Sequence, residues 1–438
     1  MVHGSIAYLV LPASAMALQG PFVVVTDSPA PDVLEALRTA GAFPVVETNW
    51  ADAIAALSSV MPEAIVLADA CGDPTHGMVL SKVLADRLKR RDGTYMPVVA
   101  RLREDGVVSV PEALSIAANA PAERIATRLA SALRIRTLHS TVLRRARTLA
   151  TRGEVPPELP KSDPLDESTV LLAGRGRSYP MLSVALGEQV GVVGALSVQS
   201  ASRALNARDI NGMVIGDGFG PRIVESLLTL LVEDVRFRDL PVAVLGGHPG
   251  VVEQFAARLP NLERIPEGAE RLVERFLPFV RLHAFGERLR RMLKSLDAKG
   301  MIDPDTGLLV HEAFWRDLNR AVDDAEKRGV GLSIARFSFN GNDRRTGLDA
   351  ARLLSRLMRQ VDFACQDADN SIFTVFTDTD LRAAHVVARR LASVLKNTTI
   401  AADRKTIGVD AAVTLATLRP TDSVDSLIAR VVGKVAVK

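Results

Sequence analysis

Arg359 and Asp362 stand three positions apart in Arg359-Gln-Val-Asp362, and five residues, Phe363 to Asp367, separate them from a polar segment, Ala368-Asp369-Asn370-Ser371-Ile372. Arginine suits bidentate phosphate recognition, because its planar fork matches two phosphate oxygens. A carboxylate three residues on can accept from a guanine N–H edge or can orient that fork, and the spacing leaves both roles open. The segment suggests a receptor for a phosphorylated nucleotide. The tetrapeptide alone carries little, since Arg236–Asp239 and Arg320–Asp323 share its spacing. Its position gives it meaning: a helix end, a strand, a turn, and then a helical segment bearing Arg389 and Arg390.

The chain around these residues has 438 positions, enough for two or three domains. It is 47% hydrophobic and 24% charged, ordinary values for a globular protein. A net charge of +3 gives nucleic-acid binding no global electrostatic support. Two cysteines, Cys71 and Cys365, make neither a disulfide framework nor a zinc site. Residues 1–20 are apolar and contain Ala13-Ser14-Ala15, but they lack a basic start, so they read as a disordered leader, with Met16 as an alternative start. No apolar run is long enough to span a bilayer, and a cytoplasmic protein is expected.

Phe22–Asp27, Val45–Thr48, Ala64–Asp69 and Met96–Ala100 read as strands alternating with helices over Val33–Ala40, Asp52–Val60 and Val79–Leu88, with Asp52 placed to cap the second. Apolar strands in βα alternation predict a parallel sheet covered on both faces. Ala122–Thr151 reads as one long helix, its apolar face set by Ile125, Leu129, Leu133, Leu138 and Val142. Its arginine-rich other face is expected to be solvated or to meet a partner. Prolines and charges mark residues 153–167 as a linker. The pattern then repeats: Val170-Leu171-Leu172 is a strand, Met213–Asp217 matches Val66–Asp69, Leu240–Leu245 matches Met96–Ala100, and a long helix covers about Ala269–Lys299.

Strands ending in Asp, followed by a Pro-Val-Val or Pro-Val-Ala strand, resemble the receiver domains of bacterial response regulators. That resemblance implies a flavodoxin-like fold and a phosphorylation site with paired acids, an acceptor aspartate, a hydroxyl and a lysine. Carboxylates would hold Mg²⁺, and cation and lysine would offset phosphoryl charge. In the first copy Asp27 survives of the acidic pair. Asp69 is a candidate acceptor, although Ala68 fits the register better. Ala100-Arg101 replaces the hydroxyl and Ala120-Pro121 the lysine. In the second copy the first strand ends Ala173-Gly174-Arg175, Asp217 is the candidate acceptor, and Gly246 and Ile265-Pro266 replace hydroxyl and lysine. Both copies are expected to be packing and docking modules.

Asp303-Pro304-Asp305-Thr306-Gly307-Leu308, Phe314, a helix over Arg316–Lys327 and Leu332-Ser333-Ile334 resemble the start of GGDEF-type nucleotide cyclase domains, the diguanylate cyclases. A helix over Gly347–Val361, strands Phe363–Gln366 and Ile372–Thr377, a helix Leu381–Leu395 capped by Asp378 or Thr379, a strand Thr406–Thr417 and a helix from Ser423 complete the pattern to Lys438. The resemblance implies an α/β multidomain protein: two flavodoxin-like receivers, then a GGDEF domain with a ferredoxin-like palm. The expected divisions are a leader (1–20), receivers (21–152 and 168–285), a linker helix (286–301) and the GGDEF domain (302–438). The family joins two GTP molecules into cyclic di-GMP on Mg²⁺ held by two carboxylates. Here Ser338, in Phe337-Ser338-Phe339-Asn340, stands at the first metal position, and Ala368–Ile372 replaces the glycine hairpin, with Asn370 unable to act as an anionic ligand. No catalytic residue, metal or cofactor is expected.

The same resemblance makes Arg359 and Asp362 the family's product-inhibition motif at its usual spacing, with Arg390, and Arg389 beside it, as the further arginine. It implies a non-catalytic cyclic di-GMP effector that binds an intercalated ligand dimer. It also implies an adaptor at a cell pole that delivers partners to a cell-cycle-regulated protease, and a homodimer through the long receiver helices. A scaffold that binds no nucleotide, and a weak diguanylate cyclase, are the alternatives.

Overall fold

The computed structural model describes residues 18–433 apart from 70–73, 90–92, 104–105, 107, 157, 160, 208, 266–267, 298–300, 304–305, 340–343, 398, 403–404 and 409–410. Most of the leader, Cys71, Pro266, Lys299, Pro304, Asp305, Asn340 and Lys438 lie outside the described residues.

The first domain runs β1 (Gln19–Val25), α1 (Pro31–Thr39), β2 (Phe43–Thr48), α2 (Ala53–Val60), β3 (Ala64–Leu67), α3 (Pro74–Lys89), β4 (Val98–Leu102), β5 (Leu114–Ala117) and α4 (Glu123–Thr151). Its sheet is parallel, in the order β2-β1-β3-β4-β5, which is the flavodoxin-like order. Apolar runs such as Phe22–Val25 suit both faces of a covered sheet. Phe22 and Val24 join a core with Leu37 and Leu129, while Val23 and Val25 join one with Trp50, Leu57 and Leu80. Asp52 does not cap α2 through its side chain; the Asn49 side-chain oxygen instead accepts from the Asp52 amide at 2.8 Å.

The second domain repeats the plan with β6 (Thr169–Ala173), α5 (Tyr179–Gly187), β7 (Gly191–Ala195), α6 (Val198–Ala207), β8 (Gly212–Ile215), α7 (Pro221–Glu233), β9 (Val242–Leu245), α8 (Pro249–Ala256), β10 (Leu262–Ile265) and α9 (Ala269–Asp297). Its parallel sheet, β10-β9-β8-β6-β7, has the same order, so the internal repeat is a repeat of topology.

The third domain has α10 (His311–Arg328), β11 (Leu332–Phe339), α11 (Arg344–Leu357), β12 (Phe363–Gln366), β13 (Ile372–Thr377), α12 (Leu381–Asn397), β14 (Thr399–Ala402), β15 (Lys405–Gly408), β16 (Ala411–Thr417) and α13 (Val424–Val432). Four strands form an antiparallel sheet, β12-β13-β11-β16, and β14–β15 form a separate hairpin, where one strand over Thr406–Thr417 was expected. Alternation along β11 divides its faces. Ala335 and Phe337 pack under α11 and α12, whereas Ile334 faces the core shared with α10, α13 and the ends of α4 and α9.

The arginine face of α4 is not solvated. Arg128, Arg136, Arg144 and Arg145 are all buried, because α4 touches all three domains. Arg128 donates to the carbonyl of Pro260 and the carboxylate of Glu263, each at 2.9 Å, and Arg145 pairs with the buried Asp317 of α10 at 3.2 Å. The contact between the first two domains is reciprocal: α4 reaches the start of β10, and Arg275 of α9 donates to the carbonyls of Arg103 and Gly106, just after β4. The helices expected to pair between two copies thus pack against each other within one chain.

Candidate functional site

Helix α11 ends at Leu357, four residues short of the expected Val361, which leaves Arg359 in the turn leading to β12. The turn closes with the Asp362 amide donating to the Arg359 carbonyl at 3.1 Å. Arg359 Nε donates to Asp362 Oδ2 at 2.9 Å and Nη2 to Oδ1 at 2.8 Å, a bidentate pair. Nη2 also lies 3.1 Å from the Thr377 carbonyl and 3.0 Å from Thr379 Oγ1. The Asp362 side chain is 1% exposed and accepts a further bond from the Thr377 amide at 3.2 Å. Asp362 therefore takes the orienting role of the two left open by its spacing: it holds the fork from behind, out of contact with solvent. The Arg359 side chain is 33% exposed. Burial opposes its charge, but Asp362 beside it and Asp378 beyond raise its pKa above the ordinary arginine value.

Arg389 and Arg390 lie on α12, exposed and half-buried respectively, with no hydrogen bond or ion pair among the described residues. Helix α12 packs beside α11 on the same face of the sheet. The structure thus has one pre-oriented guanidinium at the sheet end and two uncommitted ones on the third turn of the adjacent helix.

The polar turn at Asp367–Ser371 is differently committed. Arg336 of β11, two residues before Ser338, donates to Ser371 Oγ at 3.1 Å and forms an ion pair with Asp369. A guanidinium on the strand that carries Ser338 thus neutralises a carboxylate of the turn. Among the described residues no three His, Cys, Asp or Glu side chains converge where they could hold a metal.

The two candidate phosphoacceptors serve as loop staples. Asp69 accepts from the amides of Asp27 (2.8 Å) and Ser28 (3.1 Å) and from Thr26 Oγ1 (3.1 Å) through Oδ2, and from Trp50 Nε1 (3.1 Å) through Oδ1. Asp217 accepts from the hydroxyl and amide of Ser178. Arg101, near the end of β4, pairs with Asp32 at 2.8 Å.

Sequence reasoning missed the residues between this site and the first domain. Asp378 or Thr379 is the cap of α12 expected from the sequence, but Asp380 is the cap, accepting from the Ala383 amide at 2.7 Å. Asp378, with φ 50°, instead receives the Thr137 hydroxyl from α4 and Arg328 Nη2 at 3.1 Å. Arg328 also grips Glu63 of the first domain at 2.7 and 2.9 Å, and Arg136 grips the same carboxylate at 2.6 and 2.9 Å. No local pattern marks Glu63, which sits in an apolar stretch before β3; only its burial between two arginines does.

This seam should be acid-sensitive. Burial opposes ionisation of Glu63, but Arg328 and Arg136 overcome it and hold its pKa at about 2, against 4.5 normally. Burial, reinforced by Arg136, lowers His139 to about 4, against 6.5, and its Nδ1 accepts from the Tyr95 amide at 3.0 Å. Both groups bind protons less readily in the folded chain, so their contribution is complete above their unfolded values and falls with pH. Through these two groups the melting temperature is expected to fall from about pH 6.5 towards 4 with His139, and again from 4.5 towards 2 with Glu63. Thermal scans across that range check it, and His139→Gln should shrink the upper step, which His283, also lowered by burial, shares.

No protein-family model matches the chain, and no curated protein does. Solved structures do match. The coiled coil and GGDEF domain of DgcB from Caulobacter crescentus, in complex with c-di-GMP, aligns at 18% identity over 34% of this chain and 84% of that one, with a TM-score of 0.29. A sensory box/GGDEF family protein from Caulobacter crescentus aligns at 21% identity over 30% and 94%, with a TM-score of 0.28. The diguanylate cyclase SiaD from Pseudomonas aeruginosa, in complex with its activator SiaC, aligns at 16% identity over 38% and 69%, with a TM-score of 0.30.

Proposed function

We propose that the chain is a non-catalytic receptor for cyclic di-GMP: two degenerate receiver domains and a degenerate GGDEF domain, similar to PopA. The observation that carries this reading is the Arg359 fork, charged, pre-oriented by a buried carboxylate and partly open to solvent. Nucleotide phosphates are a ligand class that such a fixed charge attracts; with the Nε–Nη2 edge held by Asp362, the contact is through charge and the remainder of the guanidinium rather than through a free fork. Arg389 and Arg390 on α12 supply further charge for a ligand dimer with several phosphates. Loss of catalysis is supported by Ser338 at the metal position, by Asn370 in the turn and by the Arg336–Asp369 ion pair, which places a fixed cation where a metal ion would need carboxylates.

The resemblance of the three-domain order to such effectors supports an adaptor role, in which the ligand-bound form docks partner proteins at a cell pole for cell-cycle-regulated proteolysis. The stapled Asp69 and Asp217 favour docking over phosphorylation for the first two domains. Cyclic di-GMP at saturation should raise the melting temperature of the full chain, since a ligand specific for the folded state stabilises it. No shift would favour a scaffold that binds no nucleotide. Product formed from GTP and Mg²⁺ would overturn the loss of catalysis.

A further inference from the structure

Two chains of contacts run from the Arg359 clamp into the first domain. In one, Arg359 Nη2 lies 3.0 Å from Thr379 Oγ1, the Thr379 amide donates to the Gly331 carbonyl at 2.9 Å, and the Gly331 amide donates to Gln19 Oε1 of β1 at 2.8 Å. In the other, Asp378 lies between Thr377 and Thr379, the two residues that hold Arg359, and its carboxylate takes the Thr137 hydroxyl and Arg328, which Glu63, itself held by Arg136, anchors. Asp378 has φ 50°, a left-handed conformation that a non-glycine residue keeps only where its surroundings hold it. Part of those surroundings, the Thr137 hydroxyl, comes from the other side of the seam, and Arg328 of its own domain is in turn tied there through Glu63.

The geometry points to Thr137 and Gln19 as positioning residues of the ligand site: the first domain and α4 set the backbone at residues 377–379 on which the Arg359 fork rests. This inference rests on the reading of Arg359 as a cyclic di-GMP contact. It adds that the affinity of that site is set across the seam, so that ligand binding and domain docking strengthen each other reciprocally. The third domain is then a tight receptor only when docked on the first, and a ligand at Arg359 stabilises the docked arrangement.

The test uses the full chain and cyclic di-GMP as the probe. Thr137→Val keeps the shape of the side chain and deletes the donor to Asp378; Gln19→Leu deletes the acceptor for Gly331. Each should weaken binding in calorimetry by at least about fivefold, a typical allosteric coupling. Thr137→Ser, which restores the hydroxyl, should bind like the wild type. In the reciprocal arm, ligand should slow hydrogen exchange at the Gly331 amide in the wild type and leave it unchanged in Arg359→Ala. Wild-type affinity in both Thr137→Val and Gln19→Leu overturns the inference while leaving the site intact. Equal binding by wild type and Arg359→Ala, or no binding by the wild type, overturns the reading of the site and the inference with it.

Discussion

The Glu63→Ala variant is expected to lose about 3–5 kcal/mol of stability, the cost of breaking a buried ion pair by removing one partner. Glu63 receives two bonds from Arg136 and two from Arg328, and its side chain and that of Arg136 are each 1% exposed. Without the carboxylate, two guanidiniums face each other in a site with almost no water to screen them. Arg136 keeps only the Tyr95 carbonyl, at 2.6 Å, and Arg328 keeps Asp378. Glu63→Gln preserves shape and one acceptor and should cost less. Urea unfolding followed at Trp50 in the first domain and Trp315 in the third would separate local from joint loss. Transitions that stay together, and a loss below about 1 kcal/mol, would mean that the seam does not depend on this carboxylate.

Arg359→Ala is expected to weaken cyclic di-GMP binding by about 3 kcal/mol, on the order of 100-fold, as when one partner of a hydrogen-bonded charge pair is truncated. The variant also strands Asp362, which would keep only the Thr377 amide. Folding must therefore be checked by melting before affinities are compared. Arg359→Lys retains charge but not the fork and should bind weakly, since a point charge cannot keep the bidentate pair with Asp362 that fixes its position. Asp362→Asn should fall between, because the amide can hold one edge of the fork without its counter-charge. Calorimetry giving Arg359→Ala an affinity within a few-fold of the wild type would remove this arginine from the ligand site.

The architecture was legible where local physics decides it. Phe22–Val25 and Val170–Leu172 are too apolar for anything but a doubly covered strand, and the matching segments at Val66–Asp69 and Met213–Asp217 turned out to be the same strand of one repeated topology. The fifth strands, β5 and β10, escaped notice because Ser115 and Glu263-Arg264 interrupt the apolar runs that marked the other short strands. The arginines of α4 were misread for a related reason: periodicity says which face is polar but not what covers it, and here α9, α10 and the first sheet do.

The sequence by itself determined the chemistry available at the candidate site: an arginine, a carboxylate three residues on, a turn poor in metal ligands, and arginines on the next helix. Residue identity and short spacing settle such things because they are local. Tertiary structure decided what each group does. It buried Asp362 behind the fork, paired Asp369 with Arg336, and moved Asp378 from a helix cap to the junction with α4. It also joined Glu63 and Arg328, 265 positions apart, at the seam below the clamp. Which charges are compensated depends on burial and on partners distant in the chain, and only folding brings those together.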